Sequence, residues 1–120
     1  MDKPTVVVGA SANPGRYSYK AVRMLQDHRH TVYGVSIKDG TINGLTIEKN
    51  KPLYQNIHTV TLYVGPQNQE YWIPYILELK PKRIIFNPGT ENPEFFKQAT
   101  NQGIECLEAC TLVMLSIGAY

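Results

Sequence analysis

No run of apolar residues in this chain approaches the ~20 needed to span a bilayer, so a transmembrane helix is not expected. Cysteine is scarce. Cys106 and Cys110 are the only two, four positions apart, and no Cys/His grouping elsewhere has zinc-ligand spacing. Low-complexity tracts and internal repeats are missing. Charged residues make up 18% against 42% hydrophobic, which is the balance of an ordinary globular chain. Met1 to Thr5 carries an acid and a proline, and no signal-peptide core follows; the expected location is therefore reducing and cytoplasmic. The 120 residues suit one domain, 1–120, with room for a real core and too little chain for two.

Charge of one sign is also nearly absent in sum, at +2, but its distribution is uneven. Residues 1–51 hold eight Lys/Arg against four acids, a net of +4, and the remainder holds four against six, a net of −2. The basic half favours an anionic ligand. The excess is modest, and no basic helix or aromatic platform stands out, so nucleic acid is not an expected partner.

What is present is most informative from Thr5 to Tyr19. Thr5-Val6-Val7-Val8 is a short apolar run of the kind buried on both faces of a parallel sheet. Gly9, Ala10 and Ser11 follow, small enough for a ligand to approach the backbone closely. A helix then begins near Tyr17, pointing free N–H groups and a positive dipole end at the same spot. That is a site for phosphate.

The rest of the chain alternates strands and helices. A helix is expected over Tyr17 to His28, with Ala21/Val22, Met24/Leu25 and His28 on one face, then a strand over Thr31 to Val35. Asp39-Gly40 and Asn43-Gly44 read as turns, with Leu45 to Ile47 a short third strand and Lys49 to Ile57 a loop. His58 to Val64 is a strand stopped by Gly65-Pro66. Trp72, Tyr75, Ile76 and Leu79 form a helical stripe in which Pro74 either sits in the first turn or kinks the helix. Arg83 to Phe86 is a strand; Asn92 caps a helix with Pro93 first; Ile104 to Glu108 is the last strand. Thr111 is expected to cap a final helix, Leu112 to Ile117. This alternation predicts an α/β fold of three layers, a doubly wound parallel sheet between helices. Ligands of such sheets lie beyond the strands' carboxyl ends, where Gly9 to Asn13, Ser36 to Lys38, Tyr63 to Pro66 and Asn87 to Thr90 converge.

The dinucleotide fingerprint G-x-G-x-x-G is not met, because Ser11 and Pro14 stand where its second and third glycines fall. After the second strand an NAD site wants Asp or Glu for the ribose hydroxyl; the chain offers Ser36 and Lys38. A cation there suits a ribose that carries its own phosphate, which fits both NADP and coenzyme A (CoA). The strand ends lack a convincing acid–base pair. His28, His30 and His58 are expected to be structural or surface residues, and Glu91 with Glu94 is expected to supply helix N-terminal charge. Cys110 is the one candidate nucleophile, between a strand end and a helix start where thiol pKa values tend to fall. With no histidine partner identifiable, an inert cysteine is the expectation over a reactive one.

The segments Val8-Gly9-Ala10-Ser11-Ala12-Asn13-Pro14, Thr59 to Val64 with Pro66-Gln67-Asn68-Gln69, Ile85 to Pro93 through Asn87-Pro88-Gly89-Thr90, and Glu108-Ala109-Cys110-Thr111 together resemble the small stand-alone CoA-binding proteins. Those proteins are similar to the nucleotide-binding domain of the succinyl-CoA synthetase α subunit. The resemblance implies a Rossmann-like fold with strand order 3-2-1-4-5. It implies Gly9, Ala10, Ser11 and Asn13 at the pyrophosphate, and Ser36 and Lys38 near the adenosine. Tyr63, Val64 and Pro66 would line the adenine and upper pantetheine, with Asn87, Pro88 and Gly89 along the pantetheine arm. Cys110 would lie towards the thiol end, and Arg16 and Tyr19 at the rim. The domain that supplies the synthetases' phosphohistidine has no counterpart here, so ligase activity is not implied. The expected function is non-catalytic binding of CoA or an acyl-CoA, with a homodimer or a protein partner possible; an NADP-binding or Cys110-dependent enzyme is the alternative.

Overall fold

The three consecutive valines of the first strand leave no polar face, and the chain buries them from both sides. The computed structural model describes every residue, Met1–Tyr120. In it β1 (Thr5–Val8) is fully buried at the centre of a seven-stranded sheet. The other strands are β2 (Val32–Val35), β3 (Gly40–Ile42), β4 (Leu45–Glu48), β5 (Thr59–Leu62), β6 (Arg83–Phe86) and β7 (Glu105–Glu108). The helices are α1 (Tyr17–Asp27), α2 (Ile73–Leu79), α3 (Pro93–Asn101) and α4 (Thr111–Ser116), with a 3-10 turn over Pro66–Asn68.

Strand order is β3-β4-β2-β1-β5-β6-β7. All pairs are parallel except β3 with β4. Without β3 the order is the one expected, extended by the last strand. Alternation along the strands assigns the layers. Val6, Val8, Val60, Leu62, Ile84 and Phe86 pack with Trp72, Ile76, Phe95 and Ala99 of the α2–α3 side. Val7 and Ile85 pack with Val22, Leu25 and Leu115 of the α1–α4 side. The sheet is doubly wound.

β3 departs from the expectation of turn and loop. Asn43 and Gly44 both have positive φ (43° and 83°), as a tight two-residue hairpin needs, and Ile42 pairs with Leu45. The two glycine-containing dipeptides mark the ends of a three-residue strand rather than a connection. Its first residue, Gly40, lies so close to the loop after β1 that a Cβ would stand 2.9 Å from the Ala12 Cβ.

Two further details concern helix starts. Pro74 occupies the first turn of α2, which begins at Ile73, so the helix has no kink to explain. Thr111 is not the cap of α4. Cys110 holds that position without a side-chain cap, and the Thr111 hydroxyl bonds the Thr61 hydroxyl at 2.8 Å. Thr61 is fully buried, so its hydroxyl needs a partner inside the protein, and this need overrides the capping preference. No helix is long and apolar enough to cross a membrane.

Candidate functional site

The carboxyl ends of β1, β2, β5 and β6 open into one cleft of about 880 Å³. That lies within the range of about 300–1,000 Å³ usual for small-molecule sites. Its walls come from the loop after β1, the first turn of α1, the Ser36–Asp39 loop, and the loops after β5 and β6.

Gly9 fixes the first wall. Its φ is +92°, and a Cβ there would meet Val64 Cγ2 at 2.9 Å and the Tyr63 carbonyl oxygen at 3.0 Å. The sequence suggests that this glycine admits a ligand; the structure gives it a different task, the close approach of the β1 and β5 loops. The amides of Gly9 and Ala10 both point to the Val35 carbonyl (2.9 and 3.1 Å), and Tyr63 N–H donates to the Val8 carbonyl at 2.9 Å. Three strand ends are therefore knit together beneath the cleft.

The loop beyond holds its own shape. Ser11 Oγ accepts the Asn13 N–H at 3.1 Å, and Asn13 Oδ1 accepts the Gly15 N–H at 2.9 Å. Such side-chain turns fix the backbone locally. α1 then starts at Tyr17 with Arg16 in the cap position and no side-chain cap. A helix's first N–H groups have no intrahelical acceptor, and here no side chain supplies one. Tyr17 and Ser18 carry two of these groups at the cleft wall. The partial positive charge of the helix end adds to the cations Arg16 and Lys38 on the same cleft. Asp39 is the one carboxylate on the lining, and it faces Lys49 at 3.9 Å.

On the other wall the Tyr63 hydroxyl is buried with no hydrogen-bond partner. Burial, with the nearby Cys110 thiol as a smaller cause, pushes its pKa well above the usual tyrosine value. It is a neutral phenol at physiological pH. Gly89 N–H donates to the Glu91 carboxylate at 2.9 Å, so Glu91 serves its own loop.

Of the residues the sequence singles out, Gly9, Ala10, Ser11, Asn13, Arg16, Ser36, Lys38, Tyr63, Pro88 and Gly89 meet at the cleft. Tyr19, Val64, Pro66, Asn87 and Cys110 are not on its lining. Tyr19 and Val64 pack against the two apolar cores. The Asn87 side chain is 1% exposed and fully engaged: Nδ2 donates to Thr61 Oγ1 (2.7 Å) and the Leu62 carbonyl (2.9 Å), and Oδ1 accepts the Thr111 N–H (2.8 Å). It builds the rim from below. Among the lining residues not singled out individually are two large apolar ones. Tyr17 and Ile37 stand 69% and 73% exposed at the cleft, an unusual place for large apolar side chains. Their segments, the helix start and the end of β2, were legible in the sequence; their exposure was not.

A doubly wound, mostly parallel sheet with a cleft at its carboxyl rim defines a Rossmann-like α/β domain. The chain belongs to the CoA-binding domain family, whose model matches residues 3–116. It is similar to the crystal structure of an uncharacterized protein at 46% identity, with a TM-score of 0.98 over 100% of this chain and 99% of that one. A hypothetical protein from Pyrococcus horikoshii OT3 is 24% identical (TM-score 0.86, 97% of this chain, 83% of that one). The structure of cell-free ID.343 from Thermus thermophilus is 21% identical (TM-score 0.85, 99% of this chain, 91% of that one). These two likenesses show the fold. No curated protein matches the chain.

Proposed function

We propose that the cleft binds coenzyme A or an acyl-CoA, and that the chain acts as a non-catalytic binding or regulatory module. The observation that carries this reading is the meeting of the uncapped α1 start with Arg16 and Lys38 on one cleft, in a chain of the CoA-binding domain family. CoA is strongly anionic, and its terminal phosphate monoester alone carries about −1.5 to −2 at neutral pH. The pyrophosphate lies by the α1 amides and the loop of Ser11 and Asn13. Ser36 and Lys38 face the phosphorylated ribose, and the pantetheine arm runs along Tyr63, Pro88 and Gly89.

The lining supports binding rather than chemistry. Its titratable side chains are Arg16, Tyr17, Lys38, Asp39 and Tyr63, with no histidine or thiol among them. Native mass spectrometry of the purified protein tests the assignment. The expected result is one CoA-sized adduct per chain, either retained from the cell or formed on adding CoA. A chain that stays free of CoA at saturating ligand contradicts it.

A further inference from the structure

We propose that Gln69 is the positioning residue of this cleft, setting the spacing between the loops after β5 and β6. The inference rests on the CoA reading above and assigns a residue that does not touch the cleft itself. Gln69 is fully buried. Its Nε2 donates to the Val64 carbonyl at 2.9 Å and to the Thr90 carbonyl at 2.7 Å, and its Oε1 accepts from Asn92 Nδ2 at 2.9 Å. With carbonyls on one side and an amide donor on the other, the orientation of the side-chain amide is determined.

The two carbonyls belong to the two loops that form one wall. Tyr63 and Gly65 flank Val64, and Pro88 and Gly89 precede Thr90. One nitrogen therefore clamps both loops. Both helices of the α2–α3 layer brace it. The Gln69 carbonyl accepts from Trp72 N–H (2.8 Å) and Ile73 N–H (3.0 Å) at the start of α2. Asn92, which holds Oε1, caps α3 by accepting the Phe95 N–H at 3.2 Å. Only a primary amide offers two donors and an acceptor in this plane. Glutamate would turn carboxylate oxygens on two carbonyls, and methionine would fill the space without donating.

Lys38 and the Ser11–Asn13 turn make no hydrogen bond to Gln69 or to the two loops it joins. Loss of the clamp therefore separates the two halves of the ligand. The test compares wild type with Gln69→Met, titrating CoA and its nucleotide fragment 3′,5′-ADP, and follows amide hydrogen exchange without ligand. The expected result is a loss of about tenfold for CoA, the scale of one hydrogen bond removed from a buried group. The fragment should stay within about twofold on the same scale. Exchange should quicken at Thr90 and Asn68 and stay unchanged at Gly9.

Equal losses for both ligands, or none for CoA, overturn the proposal, as does unchanged exchange at Thr90 and Asn68. A wild-type chain that binds no CoA overturns the ligand reading instead, and the exchange arm still decides the clamp. If Gln69→Met does not fold, Asn92→Ser keeps an acceptor for Phe95 N–H while removing the donor to Oε1. It should show the same split, smaller in size.

Discussion

The side-chain oxygen of Asn87 accepts the backbone N–H of Thr111 at 2.8 Å, joining the end of β6 to the first turn of α4. The same side chain donates to Thr61 and to the Leu62 carbonyl, and the Thr61 hydroxyl closes the ring by bonding Thr111. Two strand ends and a helix start thus share one buried polar network. Such networks stabilise only when every member is satisfied. With Gln69, Asn87 makes the rim beyond β5 and β6 a preformed structure.

Asn87→Ala leaves the Leu62 carbonyl and the Thr111 N–H buried without their partner. The expected cost is about 3 kcal/mol, from one or two unsatisfied groups at about 1–3 kcal/mol each. Urea denaturation measures it. A cost below about 1 kcal/mol, the size of an ordinary exposed hydrogen bond, contradicts the structural role.

Gly9→Ala puts a Cβ against the Tyr63 carbonyl oxygen and Val64 in a backbone conformation at φ +92°. Strain of this kind costs about 1–3 kcal/mol before any clash is counted. The expected outcome is a destabilised chain that has also lost affinity for CoA, read from denaturation and calorimetry on one sample. A stable variant with normal binding shows that the β1 and β5 loops can separate freely.

Much of this fold was legible in the sequence because burial on two faces leaves a plain mark. Thr5 to Val8 and Arg83 to Phe86 have no exposed residue, and the helices between strands show apolar stripes at helical spacing. β4 was legible as a short strand, but β3 was not, since three residues between two turn signals carry no period. At the site, the backbone positions past each strand end could be read from glycine, serine and lysine. The side-chain partners could not. Asn87 reaches Thr61 and Gln69 reaches Thr90 across more than 20 residues of sequence, and only the assembled sheet brings them together. For the same reason Thr111 reads as a cap in sequence and is a network member in the fold.

In the proposed CoA mode, Lys38 faces the phosphate on the ribose. One hydrogen bond to a charged group is worth about 1.5–3 kcal/mol, so Lys38→Ala should weaken CoA binding by about tenfold or more. Dephospho-CoA, which lacks that phosphate, should bind wild type and variant nearly alike. Equal losses for the two ligands contradict the assignment.

His30 makes stability pH-dependent. Its Nδ1 accepts the Lys3 N–H at 3.0 Å, which only an unprotonated nitrogen can do, and Asp2 at 3.9 Å is too distant to hold the charged form. Burial pushes its pKa below the usual histidine value, partly opposed by Asp2. The unfolded chain therefore takes up this proton first, near pH ~6.5. The contribution is fully present above that value and is lost as pH falls through it towards the lower folded pKa. The melting temperature should drop between pH 7 and 5. His30→Asn, which keeps an acceptor and removes the titration, should flatten that drop. An unchanged slope contradicts the account. The His58 pKa, also lowered mainly by burial, contributes in the same direction.

The proposal stands or falls on whether the carboxyl rim of this sheet recognises CoA. Calorimetric titration of the purified protein with CoA, acetyl-CoA, NADP and NAD tests it most directly. The account predicts one site per chain, with CoA or acetyl-CoA bound more tightly than NADP and with NAD the weakest of the four. NADP binding more tightly than CoA contradicts it.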